Sequence, residues 1–293
     1  MISIKKNPSP EEVKFRAEPV LFVEGSGADS FDRKVIGELF ENKIRIEPLG
    51  KSFSVKSVAE ALYPYHKKYF FLIDRDHQST DEVQRYWDEF PNPETSNLLI
   101  WKRKEIENYF LDPGFLIESD FCTADKPRLI SKLEEYSNER LFLDVANYVI
   151  VSIRESQKKT WIKTYTDLIP SADEALKRLK AEPEFQKRLV CIKEQVNSTQ
   201  IEDLFRKRLE EMTGNYNQIK WGLGSWLDLI QGKRILNQMI NTSNCFSVKN
   251  RDGERIDGKG KLDAVVKNLL SKNDKIPSDF VKLKELIYQQ INK

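Results

Sequence analysis

The sequence predicts an α/β domain built on a parallel sheet over residues 1–125, followed by a mostly α-helical, basic domain over residues 126–293. Three observations carry this. Short apolar runs, Val20–Glu24 (VLFVE), Tyr69–Ile73 (YFFLI) and Asn97–Trp101 (NLLIW), read as strands buried on both faces. Helix-like segments alternate with them, and such a β-α-β-α-β succession favours parallel pairing through right-handed crossovers. After about residue 125 the strand signal fades and the charge changes sign. Residues 1–125 hold 17 Lys+Arg against 23 Asp+Glu, whereas residues 126–293 hold 31 against 23.

Taken in order, VLFVE ends at Gly25, and a helix follows over Phe31–Asn42, with Val35, Ile36, Leu39 and Phe40 at helical spacing. Asp29 or Ser30 is its expected cap. Lys43–Leu49 reads as a second strand, and Ser54 as the cap of a short helix carrying Val55, Val58, Ala59 and Leu62. YFFLI runs straight into Asp74-Arg-Asp76, NLLIW into Lys102-Arg-Lys, and Lys104–Leu111 reads as a turn or helix. Beyond that, helical patterns cover Leu129–Arg154, Asp173–Val196, Leu227–Ile240, Leu262–Leu270 and Ser278–Ile291. Thr199-Gln-Ile-Glu202 has the form of a capping box, and residues 247–261, rich in Gly and charge, read as a loop.

Composition narrows the function classes. No apolar run approaches the roughly 20 residues that span a bilayer. The first 15 residues lack the apolar core of a secretory signal. Three widely spaced cysteines, Cys122, Cys191 and Cys245, match neither a zinc motif nor a disulfide framework. A cytoplasmic protein with reduced thiols is expected. An acidic half joined to a basic half suits a cation site beside a polyanion-binding surface, although solvated Lys-rich helix faces describe the excess equally well.

The chemistry-bearing residues gather at strand ends. Glu24 closes the first strand, where a carboxylate is costly unless it meets solvent, a partner or a metal. Ligands of parallel α/β sheets collect outside these carboxyl ends. Asp74 and Asp76 follow the YFFLI strand, and alternation along a strand would turn both to one side. Two such oxygen donors suit Mg²⁺ or Mn²⁺ rather than zinc. After the next strand, Glu107 stands near Lys102, Arg103 and Lys104, so an acid and a phosphate-neutralising cation are expected together.

An E-G after the first strand, D-x-D after the third and I-E-N-Y after the fourth resemble a TOPRIM domain. More closely, VEGSGADSFDRKVIGELF, FFLIDRDH and WKRKEIENYFL resemble the OLD-like TOPRIM proteins, a group that includes the nuclease subunit of PARIS anti-phage systems. That subunit works beside an ABC-type ATPase. The likeness covers roughly residues 18–115 and leaves the helical half unmatched. It implies a TOPRIM (Rossmann-like) fold with Glu24, Asp74 and Asp76 as metal ligands and Glu107 contributing. It also implies a Mg²⁺- or Mn²⁺-dependent nuclease acting on RNA such as tRNA, or on DNA, as a defence effector controlled by a partner ATPase. Among assemblies, a homodimer is compatible with it. The alternative is a TOPRIM-like module that binds nucleic acid or scaffolds a partner without cutting. One departure concerns a second acid four residues after the glutamate, where this chain has Ala28; Asp29 and Asp32 stand close by as substitutes, and Asp29 equally fits a helix cap.

Other signals carry less. Leu49-Gly-Lys-Ser52 lacks the leading glycine of a P-loop, position 45 being Arg45. With only His66 and His77, histidine-based hydrolysis has almost no ligands. Gln231-Gly-Lys-Arg234 and Trp221–Trp226 fit either a binding surface or a glycine-broken loop over buried tryptophans.

Overall fold

The computed structural model describes residues 18–27, 29–63, 65–92, 97–158, 176–177, 181, 183–272 and 274–292. The stretch read for a secretory signal, Ala28 and part of the helix expected over Asp173–Val196 lie outside the described residues.

In chain order the elements are β1 (Val20–Val23), α1 (Phe31–Leu39), β2 (Arg45–Pro48), α2 (Ser52–Leu62), β3 (Tyr69–Ile73), α3 (Thr80–Glu89) and β4 (Leu98–Ile100). A 3₁₀ turn (Ile106–Leu111) and the short α4 (Pro113–Leu116) precede α5 (Lys126–Lys158). There follow α6 (Pro183–Gln195), α7 (Ser198–Thr213), α8 (Trp226–Leu229), α9 (Gly232–Asn241), β5 (Val248–Lys249), β6 (Arg255–Ile256), α10 (Gly258–Leu270) and α11 (Ser278–Ile291).

β1 to β4 form one sheet in the order β2-β1-β3-β4, every pair parallel. The fold is therefore α/β with an all-parallel sheet and a helical part, compatible with a Rossmann-like domain. All five residues of β3 are buried, as its unbroken apolar run requires of a central strand. Phe22 of β1 stacks on Phe71 of β3 with centroids 5.1 Å apart. α3 is absent from the sequence-based reading. Its N-cap, Ser79, accepts a hydrogen bond from the Glu82 amide, and Trp87 donates from its indole to the Ile100 carbonyl at 2.8 Å. The Ser-x-x-Glu cap was the available signal.

The chain divides into compact units at other points than 125/126. Residues up to Ser137 go together with Leu227–Lys293, and Asn138–Trp226 stands as the second unit. The reason is where the last helices bury their stripes. Phe280 of α11 packs against Trp101, Tyr109 and Phe110, with centroids 4.9–5.9 Å apart. Lys34 pairs with Asp263 of α10 at 2.6 Å, and Lys267 with Glu38 at 2.7 Å. Similar helical patterning in sequence cannot say which core each stripe joins.

Within the second unit, Leu141, Val145 and Val149 recur every four residues of α5 and are buried. The Arg140–Asp144 ion pair, 2.8 Å, is buried as well. The Arg208 guanidinium lies 4.2 Å from the centroid of the Tyr148 ring and bonds Glu211. Asn197, rather than Thr199, caps α7 by accepting from the Gln200 amide. In the first unit, the region read as a loop over 247–261 holds an antiparallel β5–β6 ladder and the start of α10. The expected Leu227–Ile240 helix is broken between α8 and α9.

Among the described residues, Cys122, Cys191 and Cys245 are free thiols, and no helix is long and apolar enough to cross a membrane.

Candidate active site

The strand order reverses between β1 and β3, and the crevice outside the carboxyl ends of two such strands is where parallel α/β sheets bind ligands. Glu24 follows β1 and Asp74 follows β3, so both stand at that point. Glu24 Oε1 accepts the Asp74 backbone N–H at 2.9 Å. The backbone N–H of Ser52, first residue of α2, also donates to Glu24. The helix expected to be capped by Ser54 therefore begins at Ser52, with a cap from another element. Gly25 adopts φ +112° and exchanges two backbone hydrogen bonds with Gly50, 2.8 and 2.7 Å. A Cβ there would come 2.5 Å from that of Ser30, so the glycine lets the chain turn tightly beside the glutamate.

Burial lifts Glu24 to about 7; the negative charges of Asp76 and Asp32 add to this, against the two backbone N–H bonds. Asp74 is pushed well above the usual carboxylate range, first by burial and then by Asp32, Glu24, Glu107 and Glu105. Its Oδ1 is buried with no hydrogen-bond partner. Asp32, in the first turn of α1, rises to about 6 through burial, with Lys233 opposing and Glu105 adding. Glu107, on the 3₁₀ turn and 6% exposed, rises to about 8 through burial and the charges of Glu105 and Asp32.

The expected facing of Asp74 and Asp76 needs correction. β3 ends at Ile73, so strand alternation does not govern them. Arg75 is buried, bonding the Lys102 carbonyl and Thr80, while Asp76, at φ +48°, stays close enough to Glu24 to raise it. Asp76 is exposed and accepts from the Ser52 hydroxyl at 3.3 Å. Asp29 is also exposed, its side chain at 85%, with Lys34 at 3.8 Å.

Residues 102–104, expected as the basic side of the site, make contacts within the chain. Lys102 pairs with Asp279 at 2.8 Å and lies 4.7 Å from the centroid of the Trp87 ring. Arg103 reaches the Asn108 carbonyl and sits against Tyr109. The Lys104 amide bonds the Asp228 carbonyl, and its side chain is not among the cleft-lining groups. The cations that face the acids come from the far end of the chain. A cleft of about 720 Å³ is lined by the acids Asp29, Asp32, Glu107 and Asp263 and by the cations Lys233, Arg234 and Lys259.

A small interlock brings them there. Glu105 and Asn108 form a capping box on the 3₁₀ turn, and Glu105 also accepts the Lys233 amide in the first turn of α9 at 2.9 Å. The Asn108 amide donates to the carbonyls of Leu227 and Ile230. A Cβ on Gly232 would overlap the Asn108 side chain, so glycine permits the approach. The Gly-Lys-Arg of α9 was visible in sequence, but its placement beside Glu107 depends on these long-range bonds.

All the acids offer hard oxygen donors, the kind Mg²⁺ and Mn²⁺ select, and the orphaned buried Asp74 oxygen suits such a cation. Among the described residues no three acids, histidines or cysteines are grouped to hold one ion. Mg²⁺ commonly takes one or two protein carboxylates and keeps several waters, and the Glu24–Asp74 pair meets that requirement. No family model matches the sequence, and no curated protein matches it.

Proposed function

We propose that this chain is a TOPRIM-type nuclease that cleaves phosphodiester bonds with Mg²⁺ or Mn²⁺. The observation that carries the reading is the Asp74 carboxylate, one oxygen of which is buried without a partner, beside Glu24 at the sheet's switch point, in an acidic cluster whose Asp32 and Glu107 line a cleft with three cations. A divalent cation held there would supply polarisation of a phosphoryl oxygen and a more acidic water. Glu24 and Asp74 would hold it, with Asp76 and Asp32 close enough to add negative potential.

The chain's own residues then divide the work. Lys233, Arg234 and Lys259 attract the phosphate backbone and stabilise negative charge as the bond breaks. Glu107, lifted to about 8, is protonated over much of the neutral range and can hand a proton to a leaving oxygen. Lys102 and Lys104, the sequence-based candidates for charge neutralisation, give up that role to Lys233. The resemblance adds tRNA as the preferred substrate, with an ABC-type ATPase as controlling partner.

The test compares wild type with Glu24→Gln on tRNA, plasmid and single-stranded DNA in Mg²⁺, with and without a co-encoded ATPase. Wild-type cleavage is expected, with loss in a variant of unchanged circular dichroism. Equal cleavage by both would sink the site assignment. Binding of nucleic acid without cleavage in any combination would favour the non-catalytic module.

A further inference from the structure

We infer that a second cleft, beside the acidic one, receives an unpaired nucleobase of the strand being cut, so that single-stranded nucleic acid is the substrate class. The inference rests on the nuclease reading above. The second cleft, about 490 Å³, runs between α1, β2 and α10. Val35, Ile44, Ile46, Val266 and Leu270 give it an apolar lining, Arg33 and Asn42 contribute polar groups, and the ion pairs Arg45–Glu47 (2.6 Å) and Lys267–Glu38 (2.7 Å) stand at its walls.

Its position decides what it takes. Phe31 and Asp263 line this cleft and the acidic cleft alike, so the two adjoin. Lys34 stands at the join, 2.6 Å from Asp263 and 3.8 Å from Asp29. Both members of the closer pair keep about a third of their side-chain surface exposed, 33% and 34%. A phosphate in the acidic cleft therefore places the attached nucleoside within reach of the second one. The apolar lining suits the faces of a base, and the Phe31 ring at the boundary offers a stacking surface. Asn42 supplies hydrogen-bonding groups for a base edge, beside the Arg33 and Arg45 guanidiniums that the Ile46 carbonyl and Glu47 hold in place. A base still paired inside a duplex cannot leave its stack without an energetic cost, so an already unpaired strand is favoured.

The wild-type chain would be titrated with labelled single-stranded RNA, single-stranded DNA and blunt duplex DNA, and cleavage of each followed in Mg²⁺. Either unpaired strand is expected to bind about tenfold more tightly than the duplex. Replacing single nucleotides by abasic ones, in a scan, should cost a similar factor at one position. Phe31→Ala and Leu270→Trp should each shrink that abasic penalty. The abasic scan needs no variant, so a folding defect in either substitution leaves the inference testable. Equal binding of strand and duplex, with no abasic penalty while nucleic acid is still bound and cut, would overturn the base cleft and leave the nuclease standing. No binding or cutting of any strand would overturn both.

Discussion

Two charged regions of the first unit meet opposite fates. Around Asp279, every charge has an answer: Lys102 pairs with it, the Tyr109 hydroxyl donates to it, and Arg103 reaches Asp228 at 3.4 Å. Around Asp74, negative charges raise one another, and one buried oxygen has no partner. Both regions carry the cost of taking charge out of water, but only the first offsets it within the chain. The difference separates support from chemistry even inside one short segment. Lys102 holds α11 in place, while Glu107, five residues on, faces the cleft.

The largest expected effect tests the unanswered region. Asp74→Asn should reduce Mg²⁺-dependent cleavage by a factor on the order of a hundred or more, while holding or raising the melting temperature, because it relieves buried repulsion. Lys102→Met should do the reverse, lowering the melting temperature and leaving cleavage within about twofold. Parallel turnover and calorimetry on the two variants read this directly; matching signatures would erase the distinction.

The cationic wall comes next. Lys233→Met should lower turnover by about tenfold or more, and Lys104→Met should leave it nearly unchanged. If the Lys104 variant is the impaired one, the neutralising cation belongs to the segment after β4 after all.

On the supporting side, Asp279→Ala leaves Tyr109 and Lys102 without their partner and should cost about 2 kcal/mol. Gly232→Ala forces the Asn108 interlock apart and should cost a similar amount, about 1–3 kcal/mol. Urea denaturation of each variant supplies the measurement, and neutrality of Gly232→Ala would mean that the interlock does not position α9.

Much of this was legible in the residues because local pattern and burial agree. YFFLI is a fully buried strand, and the Ser278–Ile291 stripe is a helix with the bounds its spacing indicates. Glu24 and Asp74 announce themselves as carboxylates at the ends of apolar runs. What could not be read is long-range. The Ser52 and Lys233 amides are satisfied by Glu24 and Glu105, remote carboxylates that no local capping rule reveals. The basic excess was visible as a property of the second half, but 13 Lys+Arg against 8 Asp+Glu lie in residues 227–293, which pack with the acidic α/β layer. Strand alternation does not set the placement of Asp76, because β3 ends at Ile73.

The titrations set a pH signature for the same region. Glu24, Asp32 and Glu107 have folded-state pKa values of about 7, 6 and 8, above their ordinary 4.5, 3.8 and 4.5. Between those limits the folded chain binds more protons than the unfolded one, so metal-free stability should fall as pH rises from about 4 to about 8. Glu107→Gln should flatten the upper part of that decline, and Mg²⁺ should restore stability most at the alkaline end, where the carboxylates are ionised. A metal-free melting temperature that climbs steadily over this range would contradict the unanswered-charge account.

The smallest effect distinguishes the two acids offered as substitutes at the position of Ala28. Asp29 is 85% exposed at its side chain and has Lys34 nearby, so its charge is already screened. Asp32 is raised by burial and in turn raises both Glu24 and Asp74. Asp29→Asn should therefore change cleavage by no more than about twofold, and Asp32→Asn by clearly more, with a shifted Mg²⁺ dependence. Comparable losses would mean that the loop before α1 closes on the site when metal binds. With the expected inequality, the acidic cluster draws its fourth carboxylate from the first turn of α1, where burial makes the charge count.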